Sequence, residues 1–238
     1  MITTCILTRD SGEFVKRALE CVSSGEIVVL DHGSTDDTID IVNLYTDKIM
    51  FIPREQEIDF AWARNSLAWK ATSNIVFMLD ADEFVNPLFL DMLKINIKSL
   101  VAGGATLKLA ESYSPGMCDP TMIGIDKLRV YDRRYAIWKG RVHESLSFSG
   151  KGKVINTSFY LWHRSFKQSP EALWRKILFY NKTMGREDPK FSDKSFWEET
   201  YANIYKRQVE APRQIERSFC LSFFEKSPWK TDNVEGGI

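Results

Sequence analysis

The stretch Asn74-Ile75-Val76-Phe77-Met78-Leu79-Asp80-Ala81-Asp82-Glu83 decides the fold of this chain. Asn74–Leu79 is a short apolar run of strand length, and three acidic residues follow it at once. In open α/β sheets, ligands bind outside the carboxyl ends of the strands. The period-two alternation of a strand puts Asp80 and Asp82 on the same side. Two carboxylates converging there repel one another unless a cation lies between them, and oxygen ligands of this kind suit Mg²⁺ or Mn²⁺. Such an ion, shared with phosphates, neutralises leaving-group charge. Taken alone, the triplet reads equally as an acidic loop that caps the next helix.

Working outward, the residues before it alternate between two hydrophobic periods. Ile2–Leu7, Glu26–Leu30 and Lys48–Ile52 read as strands. Glu13–Val22, a segment through Ile39, Val42 and Leu44, and Ala61–Lys70 read as helices, with another after Pro87. Strand and helix alternating at this spacing predict βαβ units and a largely parallel sheet. After about Gly103 the character changes. Thr106–Ala110, Leu128–Arg133, Arg141–Phe148 and Ser158–Trp162 look like strands between Gly- and Pro-punctuated loops, which predicts a mixed or antiparallel extension. From Ser169-Pro170-Glu171 the chain turns helical, with Ser at the N-cap and Pro at the first position. Further helices are expected over Lys194–Gln208 and Pro212–Phe224. The division is residues 1–105 as a first half, 106–168 as a second half of the same domain, and 169–238 as a helical extension.

Bulk properties narrow the classes. The 238 residues are 44% hydrophobic and 13% aromatic, enough for a well-packed core without staples. Lys+Arg and Asp+Glu both number 32, and this balance weighs against a nucleic-acid partner. The four cysteines form no CxxC pair, and Cys5 and Cys21 sit in apolar runs, as in a reducing cytoplasm. The chain has neither 18 consecutive apolar residues nor the layout of a signal peptide at Met1–Leu7, so any membrane-borne acceptor would be reached peripherally.

A second acidic cluster, Leu30-Asp31-His32-Gly33-Ser34-Thr35-Asp36-Asp37-Thr38, ends one strand and opens a helix on the same sheet edge. Asp31 there is placed to accept from a base N–H, whereas Asp36 and Asp37 read first as helix caps. The absence of GxGxxG and GxxxxGK[ST] argues against a dinucleotide fingerprint and a P-loop. Arg64, in Phe60-Ala61-Trp62-Ala63-Arg64-Asn65, carries the fork of donors suited to phosphate.

Together these pieces resemble the family 2 glycosyltransferases of GT-A fold. The matching residues are the Thr3–Arg9 strand, Val28–Thr38, Ala63-Arg64-Asn65 and Leu79-Asp80-Ala81-Asp82-Glu83, in the family's order and spacing. Trp138-Lys139-Gly140-Arg141-Val142-His143-Glu144 and Tyr160-Leu161-Trp162-His163-Arg164-Ser165 are similar to segments of the subgroup that includes lipopolysaccharide core and peptide S-glycosyltransferases. The resemblance covers about residues 1–180. It implies a Rossmann-like, mostly parallel central sheet with helices on both faces, with residues 1–105 as the nucleotide-sugar-binding half and 106–168 as the acceptor-side half. It also implies a metal-dependent hexosyltransferase-type enzyme that moves a sugar from a nucleoside diphosphate donor, UDP foremost, with inversion. Thr8, Arg9 and Asp31 would then face the uracil or ribose, Arg64 the base or diphosphate, and Asp80 with Ala81 the ribose or a metal-bound water. Asp82 would ligate Mn²⁺ or Mg²⁺, Asp80 would share in holding it, and His163 would be a further ligand. His32 stands where many members carry a second Asp.

For an acceptor hydroxyl, Glu144 is the first general-base candidate, with Glu83 beside the metal site as the second; an ion pair of Glu144 with Arg141 or another cation is the alternative. Trp138, Trp162 and Trp174 are expected either in the acceptor site or in the core. A glycan, a lipid-linked glycan, a peptide or a modified nucleic-acid base would each suit as acceptor, and the last helices would serve a homodimer or a membrane surface. Two other classes compete: a non-catalytic nucleotide-sugar or carbohydrate-binding module, and a metal-dependent nucleotidyltransferase, for which Arg9-Asp10-Ser11-Gly12 is a thin phosphate loop.

Overall fold

The computed structural model describes residues 1–114, 117–118, 125–163, 170–185, 193–195 and 199. The chain opens β1 (Ile2–Thr8), α1 (Gly12–Val22), β2 (Glu26–Asp31), α2 (Thr38–Val42), β3 (Ile49–Phe51), α3 (Phe60–Lys70) and β4 (Ile75–Asp80). The short β5 (Glu83–Phe84) and α4 (Leu88–Ile95) follow. Then come β6 (Gly104–Ser114), β7 (Met117–Cys118), β8 (Ile125–Asp132), β9 (Ala136–Lys139), β10 (Ser145–Phe148), β11 (Val154–His163) and α5 (Pro170–Thr183).

The main sheet runs β3-β2-β1-β4-β8-β6-β11-β5, with β7 beside β6. β3, β2, β1 and β4 are parallel; β8 runs against β4 and β6; β6 and β11 are parallel again. The expected parallel half and mixed extension are therefore one continuous sheet, and the division at residue 105 falls inside β6. Every residue of β1 is buried, as a central parallel strand covered on both faces must be. One core cluster packs α1 and α4 on one face of the sheet, and a second packs α3 on the other. The chain folds back at one point. Only two residues separate β4 from β5, yet β5 pairs with β11 at the far end of the strand order, Glu83 opposite His163. The sheet edge is thus drawn together where β4 ends.

The expected Arg141–Phe148 strand is shorter than its sequence suggests. Gly140 (φ +94°) and His143 (φ +52°) are both left-handed, so residues 140–144 form a loop and β10 begins at Ser145. α5 starts at Pro170, as the Ser-Pro-Glu signal predicts. Most of Lys194–Gln208, all of Pro212–Phe224, and the dimer expected through those helices lie outside the described residues. Among the described residues no helix is long and apolar enough to cross a membrane.

Candidate functional site

Parallel register brings Asp31, Thr8 and Asp80 to one edge of the sheet. Thr8 pairs with Asp31 across β1 and β2, and Leu7 pairs with Asp80 across β1 and β4. Three neighbouring strand ends therefore present Asp31, Thr8 and Asp80. Thr8 Oγ1 is buried and makes no hydrogen bond within the protein, an orphaned polar atom at the edge where a ligand is expected. The buried Asp31 carboxylate accepts from the Ser34 N–H (2.8 Å) and the Ser34 hydroxyl. Arg9 Nη1 lies 3.3 Å from His32 Nδ1, and His32 Nε2 lies 2.8 Å from the Gln56 carbonyl. Asp36 does more than cap α2: it accepts from the Gly12 N–H (3.0 Å) as well as from Thr38, tying the loop after β1 to the loop after β2. Asp10, accepting from the Thr35 N–H (2.8 Å) and Arg54 Nη1 (2.7 Å), adds a second tie.

At the end of β4 lies a cluster of five charges. The Asp80 carboxylate is held from both sides. Arg64 Nη1 is 2.8 Å from Oδ1, a charge contact without hydrogen-bond alignment, and Arg129 Nη2 is 3.0 Å from Oδ2. Arg129 also donates to Glu83, and Glu83 Oε2 accepts the backbone N–H of Asp80 at 2.9 Å, closing a ring over the turn. Arg64 donates through Nε to Glu144 Oε1 at 2.6 Å and lies over the Trp138 ring at 5.2 Å. One arginine, 4% exposed, thus joins Asp80 at the end of β4 to Glu144, which lies 80 residues beyond Arg64 in sequence. Burial would raise the Asp80 carboxyl, but Arg64 and Arg129 outweigh it and hold the group well below the usual range. At Glu83 burial wins, and its carboxyl is pushed up.

The structure gives each predicted residue a place. Asp82 and His163 face each other across the turn, Oδ2 to Nε2 at 3.3 Å, both partly exposed. Each Asp80 oxygen lies against a guanidinium, Arg64 on one side and Arg129 on the other. Among the described residues no group of three or more His, Cys, Asp or Glu side chains is placed to hold a metal ion by itself. Asp82 and His163 offer one oxygen and one nitrogen, so an ion there needs further ligands from a phosphate-bearing substrate or water. Glu83 is 2% exposed with both oxygens engaged, a position for holding the turn rather than meeting an acceptor. Glu144 is only partly buried, and its cation is Arg64; Arg141 pairs instead with Glu57. Trp138 and Trp162 are buried, and the Trp138 indole donates to the Tyr131 hydroxyl (2.9 Å), which places both in the core.

Sequence reasoning missed two residues. Arg129 leaves one signal, a cation inside the apolar run Leu128–Tyr131. Tyr180, on α5, packs edge-on against His143 (5.0 Å between ring centres) and Phe60 (6.4 Å). Burial first, then Glu144, Asp80 and Asp82, push its phenol up to about 12.

Comparison with known proteins agrees with this geometry. Residues 3–107 match the family model described as glycosyl transferase family 2. The SPbeta prophage-derived glycosyltransferase SunS of Bacillus subtilis (strain 168) is 35% identical over 83 residues, 34% of this chain and 20% of SunS. A TPR repeat-containing protein of Synechococcus elongatus is 34% identical over 84 residues, again 34% of this chain and 20% of that protein. The match thus spans about a fifth of the length of these relatives. Among solved structures, S. aureus TarS 1-349 superposes with a TM-score of 0.50 at 13% identity, covering 95% of this chain and 81% of that one. The likeness is one of fold, and the fold is GT-A.

Proposed function

From the match of residues 3–107 to the glycosyl transferase family 2 model, we propose that this protein moves a sugar from a nucleoside diphosphate donor, UDP foremost, to an acceptor hydroxyl with inversion at the anomeric carbon. The observation that carries the proposal is Arg64, buried between Asp80 of the donor half and Glu144 of the acceptor half. A guanidinium so placed serves both partners of a displacement: it faces the negative charge that develops on the leaving diphosphate, and it orients the carboxylate that takes the acceptor proton. Thr8, Arg9 and Asp31 line the edge for the nucleoside, with Ala81 in the turn beneath the ribose. The orphaned Thr8 hydroxyl supports this assignment.

Glu144 is the general base, its free oxygen accepting the proton as the new glycosidic bond forms. Glu83 and Arg129 keep the Asp80-Ala81-Asp82 turn in place. Asp82 and His163 would hold a divalent ion that arrives with the donor, and an imidazole in the set favours Mn²⁺ over Mg²⁺. When bound, that ion supplies charge neutralisation to the diphosphate. The free, buried Cys5 and Cys21 thiols support a cytoplasmic setting.

The test is a thermal-shift screen of UDP, UDP-glucose and UDP-N-acetylglucosamine with Mn²⁺, followed by turnover of the best donor. Ligands that bind only the folded state raise Tm. A rise of several degrees with nucleoside diphosphate release is expected. A rise without release under any acceptor would leave a binding module, and no shift with any donor overturns the proposal.

A further inference from the structure

α3 carries two tryptophans on the side it turns to water. Its buried face is Ala61, Ala63, Arg64, Leu67 and Ala68, packed on the sheet. Trp62 and Trp69, seven residues apart, share one stripe of the other face, about 10 Å apart along the axis. They are 50% and 86% exposed. A surface helix ordinarily turns polar residues to water, and here the largest apolar side chains stand there. The stripe continues onto a second segment. α3 lies antiparallel against residues 133–141, tied at both ends and in the middle. The Phe60 N–H donates to the Arg141 carbonyl (3.0 Å), the Asn65 amide exchanges two hydrogen bonds with the Trp138 backbone (2.9 Å each), and Arg133 Nε donates to the Ser73 carbonyl (2.8 Å). Trp62 therefore lies toward the Lys139 end of β9 and Trp69 toward the Tyr135 end. Ile137 and Lys139 are exposed because they alternate with the buried Trp138. Trp62, Trp69, Tyr135 and Ile137 thus form one apolar surface, with the exposed Lys70 and Lys139 beside it.

The charge of this surface is one-sided. Residues 59–73 and 132–144 hold six Lys or Arg and three carboxylates. All three carboxylates are engaged: Asp59 caps α3 through the Trp62 N–H (2.9 Å), Asp132 pairs with Arg134 (2.7 Å), and Glu144 pairs with Arg64. Lys70 and Lys139 have no ion pair among the described residues. We propose that this face of α3 and β9 docks on an anionic lipid bilayer, with Trp62, Trp69 and Ile137 entering the headgroup layer and Lys70 and Lys139 meeting lipid phosphates. The inference goes beyond glycosyl transfer and does not depend on it. Contiguous exposed apolar side chains mark interaction surfaces. Trp, with an apolar body and a single N–H, suits a boundary that is apolar on one side and wet on the other. Lysines beside it add attraction to anionic headgroups. A second copy of the chain fits less well, because a two-fold contact sets the patch against itself and the patch has no spare carboxylate for its lysines. A neutral glycan meets the rings and leaves the same two lysines without counter-charge.

The test is flotation of the purified protein with vesicles of phosphatidylcholine alone or of equimolar phosphatidylcholine and phosphatidylglycerol. The wild type should float with the anionic vesicles, and less so at high salt. Trp62→Ser with Trp69→Ser should lower the partition coefficient about tenfold or more, with Tm unchanged because both side chains face water. Lys70→Gln with Lys139→Gln should lower it roughly tenfold as well. Flotation that survives both double variants assigns the contact to another face and overturns the proposal, as does a wild type that floats with neither vesicle. Equal flotation with both vesicles overturns the anionic class. A wild type that ignores vesicles but sediments as a dimer, and becomes monomeric with Trp62→Ser and Trp69→Ser, gives the face to a second copy instead. The assay contains no nucleotide, so failure here leaves the glycosyltransferase reading untouched.

Discussion

Glu144 Oε1 is held by Arg64 Nε at 2.6 Å, and the proposed mechanism gives its other oxygen to the acceptor. Glu144→Gln keeps the size and an acceptor oxygen for Arg64 but cannot take a proton. Turnover should fall about 10²- to 10⁴-fold, the usual worth of a general base, while the Kd for UDP stays within a few-fold in a calorimetric titration. Full activity in this variant would remove Glu144 from the mechanism. At this scale the sequence was informative at the end of one strand: Asp80 closes β4 and Asp82 lies in the turn after it, as the apolar run before them predicts. It was silent on who holds whom. The sequence offers Arg141 or another cation as the partner of Glu144; with the left-handed backbone at Gly140 and His143, Arg141 meets Glu57 and Glu144 meets Arg64.

Single elements are fixed by comparable pairings, and Glu26 at the start of β2 is the clearest. Its carboxylate accepts from the Thr3 hydroxyl on β1, from Lys48 just before β3, and from the Thr72 N–H (3.0 Å) and hydroxyl (2.7 Å) at the start of the turn into β4. Burial opposes ionisation, but these partners prevail and lower its pKa from 4.5 to about 2. The folded carboxyl binds its proton less tightly than the unfolded one. Its contribution, on the order of 3 kcal/mol, is therefore complete above about pH 4.5 and is lost as pH falls through about 2. The urea stability of the wild type should exceed that of Glu26→Gln by most of this amount at pH 7, and the gap should narrow steadily below pH 4.5. A gap that does not change with pH would assign the effect to shape rather than charge. Elements with a strong period, such as α1, α3 and β4, were legible to within a residue or two. β5 and β9 were not, because strands of two and four residues have no period to read and exist only through their partners β11 and β10.

Across the whole molecule, Arg129 ties the two halves of the sheet. It stands on β8 and grips Asp80 and Glu83, which flank the turn between β4 and β5. Removing one partner of a buried pair strands the other, so Arg129→Met should cost about 3–5 kcal/mol in urea unfolding. Adding Glu83→Gln should recover part of that loss, since the amide oxygen still accepts the Asp80 N–H and one stranded charge is gone. Strictly additive losses would deny the pairing. The sequence marks Arg129 only as a cation inside an apolar run; its targets depend on the register of β8 against β4, which is set by residues some fifty positions apart. The fold-back at β5 has a consequence in time. Glu83 is laid against His163, about eighty residues later in the chain. At the roughly 5–20 residues per second of protein synthesis, the acidic turn waits on the order of ten seconds on the ribosome before its histidine partner is made, and a longer interval before Tyr180 follows. For that interval the nascent chain carries the turn after β4 without its β11 partner, and the pairing of β5 with β11 closes only after His163 is made.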